Sequence, residues 1–180
     1  DRYAALKRVI DFHPDIFGLV FCRTRIETQK VADQLLTDGY NAEPLHGDLS
    51  QVQRNHVMKK FRDRTLKLLV ATDVAARGLD VERISLVVNY DLPDRTDPYI
   101  HRIGRTGRAK RNGDAFTILS ADELPFADAV ERFIAQKIDR KKLEYVKMLK
   151  NVRRGRVNEY VDKYPDAVYT PVDPALGCTP

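Results

Sequence analysis

Residues 67–80 read Lys67-Leu68-Leu69-Val70-Ala71-Thr72-Asp73-Val74-Ala75-Ala76-Arg77-Gly78-Leu79-Asp80. The first five form a short apolar run without alternation, as a strand reads when both faces of its sheet are covered. A hydroxyl, a carboxylate and a glycine corner follow at once, so a polar turn leaves the strand's carboxyl end. Outward from this stretch the same sequence of events recurs. Gly18–Cys22 leads into Arg23-Thr24-Arg25, Ala42–Leu45 into His46-Gly47-Asp48, and Ser85–Tyr90 into Asp91–Pro98, while Asp114–Leu119 is a further apolar run. Thr24 with Glu27, and Ser50 with Gln53, have capping-box spacing and predict helices over 25–38 and from Ser50 to about Arg62. Gly39 ends the first by taking the left-handed conformation that other residues resist. Ser120 with Glu123 predicts another helix, running to about Lys137. Short apolar strands separated by amphipathic helices describe an α/β domain in three layers, with a mostly parallel sheet of five or six strands.

The 180 residues suit one domain with an appendage. Two cysteines, Cys22 and Cys178, exclude a disulfide framework and a four-cysteine zinc site. No apolar run reaches the ~18 residues of a membrane span, and no signal-peptide pattern opens the chain. Because the first residue is Asp1 rather than Met, the chain is expected to be a piece of a longer protein, with a reducing cytoplasm as its setting. The 31 Lys and Arg against 26 Asp and Glu leave a net charge of +5, which suits a polyanionic partner. Bases concentrate between Arg140 and Arg156, and again in Arg102, Arg105, Arg108, Lys110 and Arg111, a cluster without an acid. Alternation stops after about Glu144, so residues 1–144 are expected to form the domain. Residues 145–180, basic and then carrying Pro165, Pro171, Pro174 and Pro180, are expected to form an irregular extension.

In an open parallel sheet, ligands meet the loops at the strands' carboxyl ends. The segments after the first four strands, including His101-Arg102-Ile103-Gly104-Arg105-Thr106-Gly107-Arg108, are rich in Arg, Thr and Gly. They are expected on one edge, as a surface that meets phosphates. Arg105 and Arg108 are three apart, so in a helical turn they share a face, and two guanidinium forks suit the oxygens of a transferring phosphoryl group. A general RNA-binding loop, or a set of surface ion pairs, is the blander reading of the same cluster. Asp73 reads equally as a cap of the following turn, and Arg54 as a partner of Asp48 or Asp63. Cys22 reads as core. His13 and His56 lack the further ligands of a metal site. Phe61, Phe116, Phe126 and Phe133 take core-like positions.

These segments resemble the C-terminal RecA-like lobe of DEAD-box RNA helicases over about residues 1–144. Val20-Phe21-Cys22-Arg23-Thr24 resembles motif IV, and Gln51-Val52-Gln53-Arg54 after His46-Gly47-Asp48 the QxxR element. Ala71-Thr72-Asp73 to Asp80 is similar to motif V and His101 to Arg108 to motif VI. The resemblance implies a RecA-like (P-loop NTPase-like) fold and the motor lobe of an ATP-dependent, RNA-stimulated helicase. It makes Arg105 and Arg108 the arginine fingers and places Gly78 and Asp80 beside the ATP ribose. It places Thr24, Gly47, Arg54 and Thr72 on the RNA backbone, and directs His101 to the other lobe. Family members often carry Asn where this chain has Arg23.

The chain holds no GxxxxGK[ST] phosphate loop and no DEAD sequence in the right context. ATP and its Mg²⁺ are therefore expected to be held mainly by an N-terminal RecA-like lobe of the same polypeptide, and this chain alone to be inactive. The expected nucleic-acid partner is single-stranded or duplex RNA, gripped through its backbone; no membrane partner is expected. Two other readings stand beside this one: an ATP-independent RNA-binding or partner-docking module, and a DNA-directed superfamily-2 lobe. The extension is open to RNA gripping, partner docking or a homodimer contact.

Overall fold

The computed structural model describes residues 2–13, 15–107 and 113–140. Five strands form one all-parallel sheet: β1 (Gly18–Phe21), β2 (Ala42–Leu45), β3 (Leu68–Ala71), β4 (Leu86–Asn89) and β5 (Asp114–Thr117), in the order β2-β3-β1-β4-β5. Six helices accompany them: α1 (Arg2–Phe12), α2 (Arg25–Thr37), α3 (Gln51–Arg62), α4 (Asp73–Ala76), α5 (Thr96–Ile103) and α6 (Leu124–Ile134). The expected three-layer α/β architecture is present; the ends of the expected strands and helices coincide with the sequence reading or differ by up to four residues, and α1, α4 and α5 were not expected. The expected domain boundary at 144 and the extension 145–180 lie outside the described residues.

The unalternating strands are explained by two cores. Val20, Cys22, Leu68, Val70, Leu86 and Val88 face one cluster with Leu6, Val9 and Ile10 of α1 and Val31, Ala32 and Leu35 of α2. Their sequence neighbours Leu19, Phe21, Leu69, Ala71 and Val87 face the opposite cluster with Val57 and Phe61 of α3 and Ala76 of α4. Successive side chains of a strand point to opposite faces, so a sheet covered twice needs apolar residues at every position. Cys22 is fully buried, and burial pushes its thiol far above the ordinary range, which leaves it unreactive. Phe61 is core, as expected, but Phe133 is not: it is 60% exposed on the last turn of α6.

The caps form as read. Thr24 accepts from the Glu27 N–H (3.1 Å), Ser50 and Gln53 make a reciprocal box, and Gly39 takes φ 86° beyond the end of α2. Ser120 and Glu123 also make a reciprocal box, around a 3-10 turn (Ala121–Glu123) that precedes α6. Arg2 reaches this turn from α1, donating to the Tyr90 carbonyl (3.1 Å), to Asp91 (2.9 Å) and to Glu123. Burial opposes ionisation of Glu123, but Arg2 and the Ser120 N–H and hydroxyl outweigh it and hold the carboxyl at about 2. An unfolded Glu titrates near ~4.3, so this group's contribution to stability is complete above that pH and is lost as pH falls through about 2. Urea midpoints at pH 6, 4 and 2.5 should fall more steeply for the native chain than for Glu123→Gln.

Candidate nucleic-acid and nucleotide interface

The carboxyl edge of the sheet carries three of the four expected segments. Thr24, exposed after β1, and Gly47, exposed after β2, are brought side by side by Arg25. The Arg25 guanidinium pairs with Asp48, and its Cδ lies 3.6 Å from where a Cβ on Gly47 would be. Arg54 stands on the first turns of α3. Neither acid considered for it is engaged there: Asp48 pairs with Arg25 and Asp63 with Lys59 (2.6 Å). Among the described residues Arg54 has no carboxylate partner, so its charge is available to a phosphate. Thr72, after β3, is buried. Its hydroxyl oxygen caps α4 by accepting from the Ala75 N–H (3.3 Å) and keeps its own proton to donate. Arg23 turns the other way, toward the Leu92 carbonyl (3.1 Å).

The fourth segment leaves that edge: Arg102 still reaches Asp73 there, but the chain beyond it does not stay. His101 and Arg102 belong to α5 rather than to a loop, and the helix stops at Ile103, so Arg105 follows it in a turn. Thr106 bridges to Ile84, just before β4, and donates its hydroxyl to the Ile84 carbonyl (2.6 Å). Gly113 approaches Thr106 so closely that a Cβ there would lie 1.9 Å from Oγ1. Ile84 precedes β4 whereas Thr72 follows β3. In the sheet register Thr72 is level with Tyr90, six residues beyond Ile84, so the two ends are separated by on the order of 20 Å along the strands. Eight residues of α5 carry the chain back from the carboxyl edge, which the sequence spacing did not disclose. Gly104 closes α5, and Gly107 takes φ 68°. His101 is exposed on α5. Arg108 and its neighbours to residue 112 lie outside the described residues.

Arg102 corrects the reading of its cluster as free positive charge. It is 1% exposed, and its Nε and Nη2 donate to the two carboxylate oxygens of Asp73 (2.7 and 2.6 Å). Nη1 donates to the Asp91 carbonyl (2.6 Å), and the guanidinium lies 5.0 Å from the Phe21 ring centre. Asp73 is thus a fork partner and not the cap of α4; Thr72 is the cap. Three residues on, Arg105 donates to the Leu79 carbonyl (3.0 Å), beside the exposed Asp80. Gly78 makes that corner possible with φ 76°. One short segment, 102–105, therefore holds both ends of the stretch 72–80. Neither Arg102 nor Asp73 was marked as a site residue by sequence; the signal was an Arg inside an amphipathic helix, on its apolar side. Among the described residues no three His, Cys, Asp or Glu side chains are grouped so as to hold a metal ion, and no helix is long and apolar enough to cross a membrane.

A RecA-like lobe with three polar loops on one sheet edge and a separate arginine turn is the class these features define. Comparison with known proteins narrows it. The model of the helicase conserved C-terminal domain matches residues 1–110. ATP-dependent RNA helicase DeaD of Mycobacterium tuberculosis is 42% identical over 167 residues, covering 93% of this chain and 29% of that protein. Among solved structures, the Escherichia coli DEAD-box protein SrmB, bound to regulator of ribonuclease activity A, is 35% identical with a TM-score of 0.73. That match covers 81% of this chain and 86% of the other. Saccharomyces cerevisiae Dbp5 bound to RNA and ADP BeF3 is 29% identical with a TM-score of 0.73, covering 85% of this chain and 42% of that one. The chain belongs to the helicase conserved C-terminal domain family, as a C-terminal RecA-like lobe of the DEAD-box RNA helicases. It spans less than a third of the DeaD protein it matches.

Proposed function

We propose that this chain is the C-terminal motor lobe of a cytoplasmic ATP-dependent RNA helicase. It would work against an N-terminal RecA-like lobe that holds most of the ATP and its Mg²⁺. Thr24, Gly47, Arg54 and Thr72 contact the RNA backbone. Asp80, at the Gly78 corner, accepts from the ribose hydroxyls of ATP. Arg105 and Arg108 neutralise charge on the transferring γ-phosphoryl group, and His101 contacts the other lobe.

The single observation that carries this reading is the segment 102–105. Arg102 grips Asp73, next to the RNA-facing Thr72, while Arg105 rests on Leu79, next to the nucleotide-facing Asp80. A displacement of either end is transmitted to the other through an ion pair whose guanidinium is buried and a short helix turn. ATP and RNA each favour the closed pair of lobes, because each touches both lobes only there. Closure brings the arginines to the γ-phosphate and bends the bound strand so that its complement separates.

Backbone recognition predicts weak sequence selectivity and steep salt dependence. Arg54→Ala should weaken binding of a single-stranded RNA similarly for all sequences and reduce the slope of log K against log salt by about 0.7. Fluorescence titrations between 50 and 200 mM salt check this; an unchanged slope would remove Arg54 from the RNA contacts. The coupling itself is tested by RNA-stimulated ATP turnover of a two-lobe parent carrying Arg105→Ala.

A further inference from the structure

The loop that follows β4 carries none of the residues assigned to RNA, ATP or the other lobe, yet it grips the loop after its neighbour β1 at two points. One carboxylate oxygen of Asp91 accepts from the main-chain N–H of Arg23 (3.2 Å), and the Leu92 carbonyl accepts from the Arg23 guanidinium (3.1 Å). Asp91 is largely buried and is itself held from three sides. Its other carboxylate oxygen accepts from Arg2 at the start of α1 (2.9 Å), and its carbonyl accepts from the buried Arg102 (2.6 Å). Its N–H reaches the Phe21 carbonyl (3.4 Å).

Arg23 immediately precedes Thr24, and what Thr24 can offer a phosphate depends on its direction. The Thr24 hydroxyl oxygen accepts from the Glu27 N–H, so its single proton is what remains to donate, and a hydrogen bond weakens steeply with misalignment. Thr24 has extended backbone (φ −116°, ψ 156°) between Arg23 and the first turn of α2. The cap fixes its far side; the acceptor that fixes its near side is Asp91, from the adjacent strand's loop. A carboxylate standing near an edge that meets phosphates would repel them, and Arg2 offsets that charge at the other oxygen.

We propose that Asp91 is a positioning residue for RNA: its carboxylate, neutralised by Arg2, fixes the Arg23 main chain and so aims the Thr24 hydroxyl at a backbone phosphate. The inference rests on the reading of Thr24 as an RNA contact. Asp91 acts through Thr24, so it sets RNA affinity and leaves the phosphoryl-transfer step alone.

The test is RNA-stimulated ATP turnover by a two-lobe parent, titrated with a single-stranded oligouridylate, for the native protein, Asp91→Ala, Asp91→Asn and Glu123→Gln. Asp91→Ala keeps the main-chain bond to Arg102 and should fold. It should raise the RNA concentration for half-maximal turnover about tenfold and leave turnover at saturating RNA within about twofold. The slope of log K against log salt should not change, because no cation that meets a phosphate is lost. Asp91→Asn, with one acceptor oxygen for the Arg2 and Arg23 donors, should give a smaller rise. Glu123→Gln removes another partner of Arg2 without touching Arg23, and should leave half-saturation near native. A half-saturation within about twofold of native for Asp91→Ala, a slope that falls as for Arg54→Ala, or a rise that Glu123→Gln matches, overturns the positioning role. Thr24→Ala then decides the reading beneath it: weakened RNA binding keeps Thr24 as a contact, and native binding overturns that too.

Discussion

Replacing Arg105 by Ala in a parent polypeptide carrying both lobes should lower RNA-stimulated ATP turnover by about a thousandfold while leaving RNA affinity within about twofold. The magnitude is that of a guanidinium supplied to a phosphoryl-transfer transition state. The separation of effects follows from the fold. Arg105 follows α5 beside Leu79 and Asp80, more than a strand length from the sheet edge that carries Thr24, Gly47 and Thr72. Its bond to the Leu79 carbonyl uses one nitrogen, so the remaining N–H groups are free for phosphate. Losing that single bond should cost about 1 kcal/mol of stability, too little to unfold the lobe. Arg105→Lys should not rescue turnover, because an ammonium lacks the planar fork. Turnover is measured at matched RNA occupancy for native and variant proteins. Normal turnover would remove Arg105 from the reaction and leave an RNA-docking lobe that acts without ATP.

The largest effect on stability should come from Asp73→Ala. The Arg102 guanidinium is 1% exposed and loses both partners of its fork on this substitution, leaving a buried charge held only by the Asp91 carbonyl, Asn89 and the Phe21 ring. The Asp73 carboxylate is 38% exposed, so breaking the pair from its side should cost about 2 kcal/mol, the scale for leaving a buried charged group short of partners. Urea unfolding of the 180-residue chain should show that loss in the midpoint with an unchanged slope. Removing both charges, with Arg102→Leu and Asp73→Leu together, should recover part of it, since an apolar replacement of a buried pair is often close to neutral. A midpoint within experimental error of the native chain for Asp73→Ala would mean that the fork contributes nothing to holding α5 against β3. The coupling role of segment 102–105 would then lose its physical basis. In the two-lobe parent the same substitution should reduce RNA stimulation of turnover more than basal turnover, because it frees the Thr72 end of the stretch 72–80, the end proposed to contact RNA, from the arginine turn.

The strands, the helix caps and the parallel sheet were legible because each has a local cause. Apolar runs such as GLVF and LVVN have no polar face to show to water, and Thr24, Ser50 and Ser120 cap turns three residues away. Helix α1 was legible in principle from Ala5, Leu6, Val9 and Ile10, which recur at helical spacing and are buried, although it follows no cap or strand that would announce it. Phe133 was misread because its helical phase matches the buried Val130 while its place on the last turn of α6 carries it off the edge of the lobe. Arg102 was misread because a run of arginines looks like solvent-facing charge until a carboxylate 29 residues earlier is brought to it.

By itself, then, the sequence determined the five strands, the helices α2, α3 and α6, the residues that cap them and the family. These depend on neighbours within about four residues or on motifs read in order. Only the tertiary structure decided that the arginine turn stands apart from the edge that carries Thr24, Gly47 and Thr72, and that Arg102 and Asp73 join the two. Those relations run between strands paired across the sheet, with partners 13 to 29 residues apart in the chain. Only the packing of α5 and the loops onto the folded sheet sets the distances between them.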